Sequence, residues 1–284
     1  MLFNTLIIIP AYNVEKRLRK LLIQLENYKR DVLFVDDGSN DKTYSILIEN
    51  NYLVLHYSKN KGVSYAINKG IQYACRKGYN AVIIMDADCQ HNPKYIPYFM
   101  SEIINNDFVI GNRFSNGYLV PDIKRNSNTF ATCLVEIIFN HFIQDVSCGF
   151  KAFKLEKNII EHIDFSTDYS IIFDLLICGI TQNYKISIIN MEPIYFPEEL
   201  WYTRKIEISS FLKAVLPFAK EYTTLVETIF QRLESSGHFQ LKLRNIDFYF
   251  HYLKEYDGYI IQADKQSIED YHYIQERKNA SKQI

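Results

Sequence analysis

Along the first 110 residues, short apolar runs alternate with longer stretches that place apolar residues at helical spacing. The run at residues 6–9, closed by Pro10, predicts a first strand. Residues 15–27 set Leu18, Leu21, Leu22 and Leu25 on one face of a helix. Residues 32–35 predict a second strand, stopped by Asp36-Asp37-Gly38-Ser39, with Ser39 or Asp41 available to cap the helix that follows. Further strands are predicted at 52–57, 81–85 and 108–111, with a helix at 63–76 whose Ala66, Ile67, Ile71 and Ala74 share a side. A β-α-β-α order of this kind implies an α/β fold with a mainly parallel, Rossmann-like sheet flanked by helices. Ligands of such sheets collect beyond the carboxyl ends of the strands. Asn13, Asp37, Asn60 and Asp86 each follow a predicted strand, which places four polar clusters on one rim.

The second half is less regular. Residues 115–128 are polar and read as a loop, 129–142 as an apolar-faced helix, and 145–154 as a loop entering a strand. A helix at 169–179, a strand at 185–195 and a helix at 211–230 kinked at Pro217 complete the pattern. From Gln231 onward the chain is polar and Tyr-rich, and a mostly helical C-terminal extension is expected there. Ser235-Ser236-Gly237 suggests a boundary, so the expected division is a main domain over 1–230 and an appendage over 231–284.

Composition narrows the class. Hydrophobic residues make up 48% and charged residues 23% of 284, which excludes a disordered chain. The formal net charge of -1 offers no basic excess, so nucleic acid is not expected as a partner. Five cysteines without C-x-x-C spacing point to reduced thiols rather than a zinc site. The first apolar run is short and lacks a basic flank, and no stretch of about 18 uncharged apolar residues follows. A cytoplasmic protein without transmembrane helices is therefore expected.

The chemistry concentrates after the strands. Asp86-Ala87-Asp88 directly follows the run Val82-Ile83-Ile84-Met85. Two carboxylates one residue apart at a strand end can share a hard divalent cation such as Mg²⁺ or Mn²⁺, which would neutralise a diphosphate leaving group. A solvated Asp-rich turn is the competing reading. Asp37 can accept the imide hydrogen of a uracil or guanine base, or serve a plain turn. Lys61 can meet donor phosphates and Gly62 lets backbone approach closely, or the pair simply opens a helix. No G-x-G-x-x-G follows the first strand, which removes the dinucleotide-dehydrogenase fingerprint.

Taken together, Pro10-Ala11-Tyr12-Asn13, Asp36-Asp37-Gly38-Ser39, Asn60-Lys61-Gly62 with Ala66, Asn68 and Gly70, and Asp86-Ala87-Asp88 with Gln90, His91 and Pro93 resemble family 2 of the inverting glycosyltransferases. Gly111-Asn112-Arg113-Phe114 and the run from Asp145 through Ser147, Gly149 and Lys151 to Phe153 are similar to its dolichol-phosphate mannose synthase and polyprenyl-phosphate branch. The likeness spans about residues 5–200. It implies the GT-A fold and a nucleotide-sugar donor, UDP- or GDP-linked. Pro10, Tyr12, Glu15 and Asp37, with Asn13 in the same segment and Lys61 and Gly62 beside it, would form the donor site. Asp86, Asp88 and Gln90 would form the metal-binding segment. Arg113 and Arg125 match basic positions that engage phosphate, and Asp145 matches an acidic residue before the S-G-F segment, where a capping or turn role is equally open.

The resemblance implies transfer to a polyprenyl or dolichyl phosphate, with direct displacement at the anomeric carbon. A saccharide hydroxyl in surface-glycan assembly is the alternative acceptor, and it would need a carboxylate base such as Asp174 or Asp145. A non-catalytic nucleotide-sugar-binding module is the alternative from another class. The branch usually carries an Arg and then G-x-S-K after its last strand. Here Glu199 falls at the Arg and Lys205 at the Lys, and the Gly and Ser are missing. Trp201 and Tyr202 can meet lipid or sugar, or be buried. Residues 211–230 can lie on a membrane surface as an amphipathic helix or pack on the domain, giving a possible peripheral membrane contact.

Overall fold

The computed structural model describes residues 3–115, 117–157, 159–163, 171–196 and 203–282. The elements run β1 (Thr5–Ala11), α1 (Glu15–Leu25), β2 (Val32–Asp36), α2 (Thr43–Glu49), β3 (Leu53–His56), α3 (Val63–Lys77), β4 (Ala81–Ile84), α4 (Ile96–Asn105), β5 (Phe108–Asn112), α5 (Asp122–Phe139), β6 (Lys151–Lys154), α6 (Ile171–Thr181), β7 (Ile186–Asn190), β8 (Thr203–Arg204), α7 (Lys205–Val215), α8 (Thr223–Glu234), β9 (Phe239–Leu243), β10 (Ile246–Leu253), β11 (Gly258–Ala263) and α9 (Lys265–Lys282). They divide into two compact units, Met1–Arg113 with Cys148–Tyr195, and Phe114–Ser147 with Phe196–Ile284.

The first unit is a seven-stranded sheet in the order β3-β2-β1-β4-β6-β5-β7. Only β6 runs antiparallel, between β4 and β5, as the expected mainly parallel sheet requires. Leu6, Ile7, Ile8 and Ile9 are fully buried in β1, which explains why this strand reads as one apolar run rather than an alternation. α3 packs on β1, β2 and β4. Its approach is close: a Cβ on Gly70 would lie 2.4 Å from Ile8 Cγ2. The chain moves from β1 outward to β2 and β3, then returns to β4 on the other side of β1. This reversal between β1 and β4 is the switch point at which open α/β sheets form a crevice.

In the second unit, β8, β11, β10 and β9 form an antiparallel sheet. The mostly helical extension expected after residue 230 is thus corrected to three strands followed by a helix. In β10, Ile246, Phe248 and Phe250 are buried while Asp247, Tyr249 and His251 are not. Phe130 of α5 meets Phe248 and Phe250 edge-on at 5.8 and 5.2 Å. Phe239 stacks on Phe250 at 4.3 Å. The division is also not the one expected at 230, because α8 runs through that residue and the unit takes in residues 114–147.

Two further expectations are revised here. α5 begins at Asp122, within the span 115–128 read as a loop. Its polar residues face inward: Asn126 Nδ2 donates to the Ile261 carbonyl at 3.0 Å and Asn128 Nδ2 to the Gln144 carbonyl at 2.6 Å. The helix expected over 211–230 is two helices, broken where Pro217 enters a 3-10 turn and Lys220 takes φ 44°. No helix among the described residues is long and apolar enough to cross a membrane.

One buried group in this unit predicts a pH response. His272 of α9 bonds Thr129 Oγ1 at 3.1 Å through Nε2. Burial, with the nearby Arg125 charge, pushes its pKa down from 6.5 to about 4. The unfolded chain therefore takes up this proton first as pH falls. Stability is complete above about 6.5 and declines toward pH 4, by about 3 kcal/mol from this residue. Urea melts at pH 4.5 and 7.5 should show His272→Gln losing much less stability across that interval than the parent. An equal loss in both proteins would remove His272 as the source.

Candidate active site

A cleft of about 320 Å³ opens at the switch point, lined by Pro10, Ala11, Tyr12, Asp37, Asn60, Gly62, Val63, Ala66 and Asp86. Pro10 and Ala11 end β1, and Asp37 and Asp86 follow β2 and β4. The chain reaches the rim after each strand, which brings together residues 76 positions apart in sequence.

Asp37 is 2% exposed. Its Oδ2 accepts the Lys61 and Gly62 N–H groups at 2.9 and 2.7 Å, and its Oδ1 accepts Lys61 N–H at 3.1 Å. Desolvation raises the Asp37 pKa, and those amides oppose the rise. Gly62 holds φ +92°, which turns its N–H onto the carboxylate at the start of α3. Lys61 contributes through its backbone, while its ammonium lies 4.5 Å over the Tyr65 ring. Tyr12, 44% exposed, also lines the cleft.

Asn13 and Glu15 serve as clamps. Asn13 Oδ1 accepts Asn40 N–H at 2.8 Å and its N–H donates to Ser39 Oγ. Glu15 Oε2 accepts Lys42 N–H at 2.8 Å and its N–H donates to Asp41 Oδ2. These bonds tie the loop after β1 to the loop after β2.

Asp86 and Asp88 sit on a tight turn in which Cys89 takes φ 65°. The Asp86 N–H donates to His91 Nδ1 at 2.9 Å, which leaves the imidazole proton on Nε2. His91 is 2% exposed and packs on Phe150 at 5.2 Å. Asp88 Oδ1 accepts Gln90 N–H at 2.9 Å, and its carbonyl accepts Arg17 Nη1 at 3.2 Å. The Asp86 side chain keeps 37% of its surface open. Desolvation raises its pKa, and the charges of Arg113 and Lys151 pull it back. Asp88 is raised by desolvation and then by Asp86 itself. Two carboxylates in mutual repulsion form a site that a cation relieves.

Arg113 arrives because β5 runs in the same sense as β4 and ends at the same rim. Lys151 is a functional candidate to which the sequence reading gave no role. It opens β6 opposite Ile84 of β4, is 1% exposed, and its ammonium donates to the Cys148 carbonyl. Its only signal in the sequence is a lysine flanked by Phe150 and Ala152 inside a strand. Gly149 permits the approach: a Cβ there would stand 2.8 Å from Asp86 Oδ2. Among the described residues no three His, Cys, Asp or Glu side chains converge as a metal cage. The candidate donors among the described residues are the Asp86 and Asp88 carboxylates, with Gln90 beside them. That fits Mg²⁺ or Mn²⁺ held by one or two carboxylates together with substrate phosphates.

Three expected site residues belong to the second unit. Arg125 stands in the second turn of α5, its Nε buried without a hydrogen-bond partner among the described residues. Asp145 is 1% exposed and Oδ1 accepts Ser147 Oγ at 3.1 Å, the bond expected of a turn residue. Lys205 opens α7 and its ammonium bonds Ser236 Oγ at 3.2 Å and pairs with Glu234 at 3.7 Å. Asp174 lies on α6, half-buried. Glu199, Trp201 and Tyr202 lie outside the described residues.

Comparison with known proteins identifies the family and the fold. The UDP-N-acetylglucosamine--dolichyl-phosphate N-acetylglucosaminyltransferase of Methanococcus voltae is 27% identical over 170 residues, covering 52% of this chain and 68% of that one. The dolichol-phosphate mannosyltransferase of Pyrococcus furiosus is 30% identical over 188 residues, covering 61% and 52%. Among solved structures, glucosyl-3-phosphoglycerate synthase from Mycobacterium tuberculosis, crystallised with Mn²⁺ and UDP-glucose, shares the fold with a TM-score of 0.60 at 14% identity, covering 92% of this chain and 86% of that one. Residues 6–163 match the family described as glycosyl transferase family 2, a span that takes in every strand of the rim described above, and the chain is a glycosyltransferase belonging to that family.

Proposed function

We propose that this protein transfers a sugar from a nucleotide-diphosphate donor to a polyprenyl or dolichyl phosphate, with inversion and with Mg²⁺ or Mn²⁺. The observation that carries the donor half is that Asp37 and Asp86 line one switch-point cleft, with Asp88 two residues beyond Asp86. The lipid-phosphate half is supported by the two relatives above, which are named for dolichyl-phosphate acceptors.

Asp37 and the amides of Lys61 and Gly62 hold the nucleoside end. Asp86 and Asp88 hold the cation, with Gln90 beside them. When bound, the ion neutralises the diphosphate and stabilises the departing nucleotide. An ionised acceptor phosphate brings its own nucleophile, so no residue need remove a proton. Its oxygen forms the new bond to the anomeric carbon as the bond to the donor diphosphate breaks, and the electron pair leaves on the diphosphate. Arg113 orients phosphate at the rim. The acceptor lipid resides in a membrane, so the protein meets it at the cytoplasmic face as a peripheral visitor.

Transfer of labelled sugar from UDP- and GDP-donors to a short-chain polyprenyl phosphate tests this directly. Product is expected with metal and not with EDTA. Product formed only on a saccharide hydroxyl would replace the lipid-phosphate acceptor. Arg113→Ala should raise the acceptor KM about ten- to a hundredfold, the scale of a charge-assisted hydrogen bond. Donor affinity should change far less. An unchanged acceptor KM would take Arg113 out of this role.

A further inference from the structure

The turn that carries Asp86 and Asp88 is held from outside as well as from within. Cys89, directly after Asp88, takes φ 65°, a left-handed backbone that residues with a side chain adopt only where their surroundings hold it. Within the turn, the Gln90 N–H donates to Asp88 Oδ1 at 2.9 Å and the Asp86 N–H to His91 Nδ1 at 2.9 Å. These bonds shape the turn. Two others, both made with α1, fix where it stands. Arg17 Nη1 donates to the Asp88 carbonyl at 3.2 Å, and Cys89 Sγ donates to the Arg17 carbonyl at 3.5 Å. They run in opposite senses between the same two segments, so residue 88 cannot slide along α1 without loosening both.

The place of Arg17 on the helix allows this. Leu18, Leu21, Leu22 and Leu25 form the buried face of α1. Arg17 stands beside Leu18 at the border of that face, half-buried, so its stem lies on protein while the guanidinium reaches the turn. α1 also packs on the 3-10 turn Pro93–Tyr95 that follows the acidic segment. The first turn of α1 is anchored elsewhere: the Glu15 N–H donates to Asp41 Oδ2, and Glu15 Oε2 accepts the Lys42 N–H. Residues 15 and 17 lie about 3 Å apart along the helix axis. One helical turn thus joins the loop after β2, at the nucleoside end, to the acidic turn after β4. A nucleotide diphosphate has to span the same two points. Charge acts in the same direction: desolvation and the Asp86 charge raise the Asp88 pKa, and His91, the Gln90 amide and then the Arg17 guanidinium oppose them.

We infer, on the reading of Asp86 and Asp88 as the cation's carboxylates, that Arg17 is a positioning residue: by holding the Asp88 carbonyl it fixes the acidic turn at a set reach from the nucleotide loop, and so sets the affinity for the divalent cation. Arg17 does not touch the ion; it acts through Asp88.

Mn²⁺ binding to the folded protein, followed by the electron paramagnetic resonance signal of the free ion, tests this without turnover. Arg17→Met keeps the stem and removes the donor and its charge. It is expected to weaken Mn²⁺ binding about tenfold, the scale of one charge-assisted hydrogen bond. A thermal melt in EDTA reports separately that the variant is folded. Arg19→Met removes the same charge from an exposed position of the same helix, and should leave Mn²⁺ binding within about twofold of the parent. Arg17→Lys, which keeps the charge but not the planar fork, carries the same comparison should Arg17→Met fail to fold. A loss in the Arg17 variant no larger than in Arg19→Met would overturn the positioning role. Asp88→Asn judges the metal reading separately. If the parent binds Mn²⁺ and Asp88→Asn does not, that reading stands whatever Arg17 does. If Asp86→Asn and Asp88→Asn both bind Mn²⁺ like the parent, or the parent binds none, both readings fall together.

Discussion

Asp86→Asn and Asp88→Asn should each lower turnover by about a thousandfold or more while leaving the protein folded. The activity loss follows from the role of the ion. A divalent cation is worth several kcal/mol of charge stabilisation at a departing diphosphate, and each 1.36 kcal/mol is a factor of ten in rate. If Asp86 and Asp88 are the charged donors, as proposed, loss of either removes half of them. The stability expectation runs the other way. Both carboxyl groups have raised pKa values, Asp86 through desolvation and Asp88 through desolvation and Asp86. A raised carboxyl contributes stability below its unfolded pKa and loses it as pH rises through the folded pKa. At neutral pH the two charges therefore strain the native state, and a neutral amide relieves that strain, less so at Asp86, where Arg113 and Lys151 compensate. Thermal melts at pH 7 should show variants no less stable than the parent without metal. Mn²⁺ should raise the parent's melting temperature by linkage and leave the variants nearly unmoved. Full turnover in both variants, or an undiminished Mn²⁺ response, would sink the metal assignment.

The parts of this site that can be read in the sequence are those where local chemistry and tertiary position agree. Leu6 through Ile9 and Val82 through Met85 are apolar without interruption because both faces of a central strand are covered. A carboxylate after such a run must stand at the strand's end, so Asp37 and Asp86 announce the rim. Asn13 and Glu15 carry a second task that the sequence does not show, since each satisfies the backbone of the neighbouring loop at 2.8 Å. A polar residue in a loop does not disclose which partner it has. Lys151 escapes for the opposite reason. Its neighbours predict a buried strand, and nothing in the pattern tells that its charge lies beside Asp86, because that depends on the antiparallel pairing of β6 with β4.

The second unit shows the same limit at larger scale. Asn126 and Asn128 look like loop residues, yet they point inward to carbonyl groups 135 and 16 positions away. Their polarity satisfies distant backbone rather than water. The alternation Ile246, Phe248, Phe250 is a period-two signal of a strand, masked by tyrosine and histidine on the other face, which a search for helical spacing passes over.

Gly38→Ala should weaken donor binding and stability together, and a matched glycine shows why. Gly38 holds φ +77°, and a Cβ there would lie 2.6 Å from the Lys59 carbonyl carbon and 2.7 Å from the Asn60 nitrogen. Both are backbone atoms, so the loop itself must move. That loop leads to the Lys61 and Gly62 amides that fasten Asp37. Gly78 ends α3 at φ +74° with its N–H on the Ala74 and Cys75 carbonyls, and no described atom stands within 4 Å of a Cβ placed there. Gly78→Ala carries only the left-handed backbone penalty of about 1–2 kcal/mol. Gly38→Ala adds the clash, for a total of about 2–4 kcal/mol, a size reserved for strain at a special backbone position. Donor affinity separates the two more sharply. It should fall at least about tenfold in Gly38→Ala, where the shift unseats the amides from Asp37, and stay at the parent value in Gly78→Ala. Denaturant melts and UDP titrations of the pair decide the matter: equal losses in both variants would mean that the close approach of Gly38 to residues 59 and 60 does not shape the cleft.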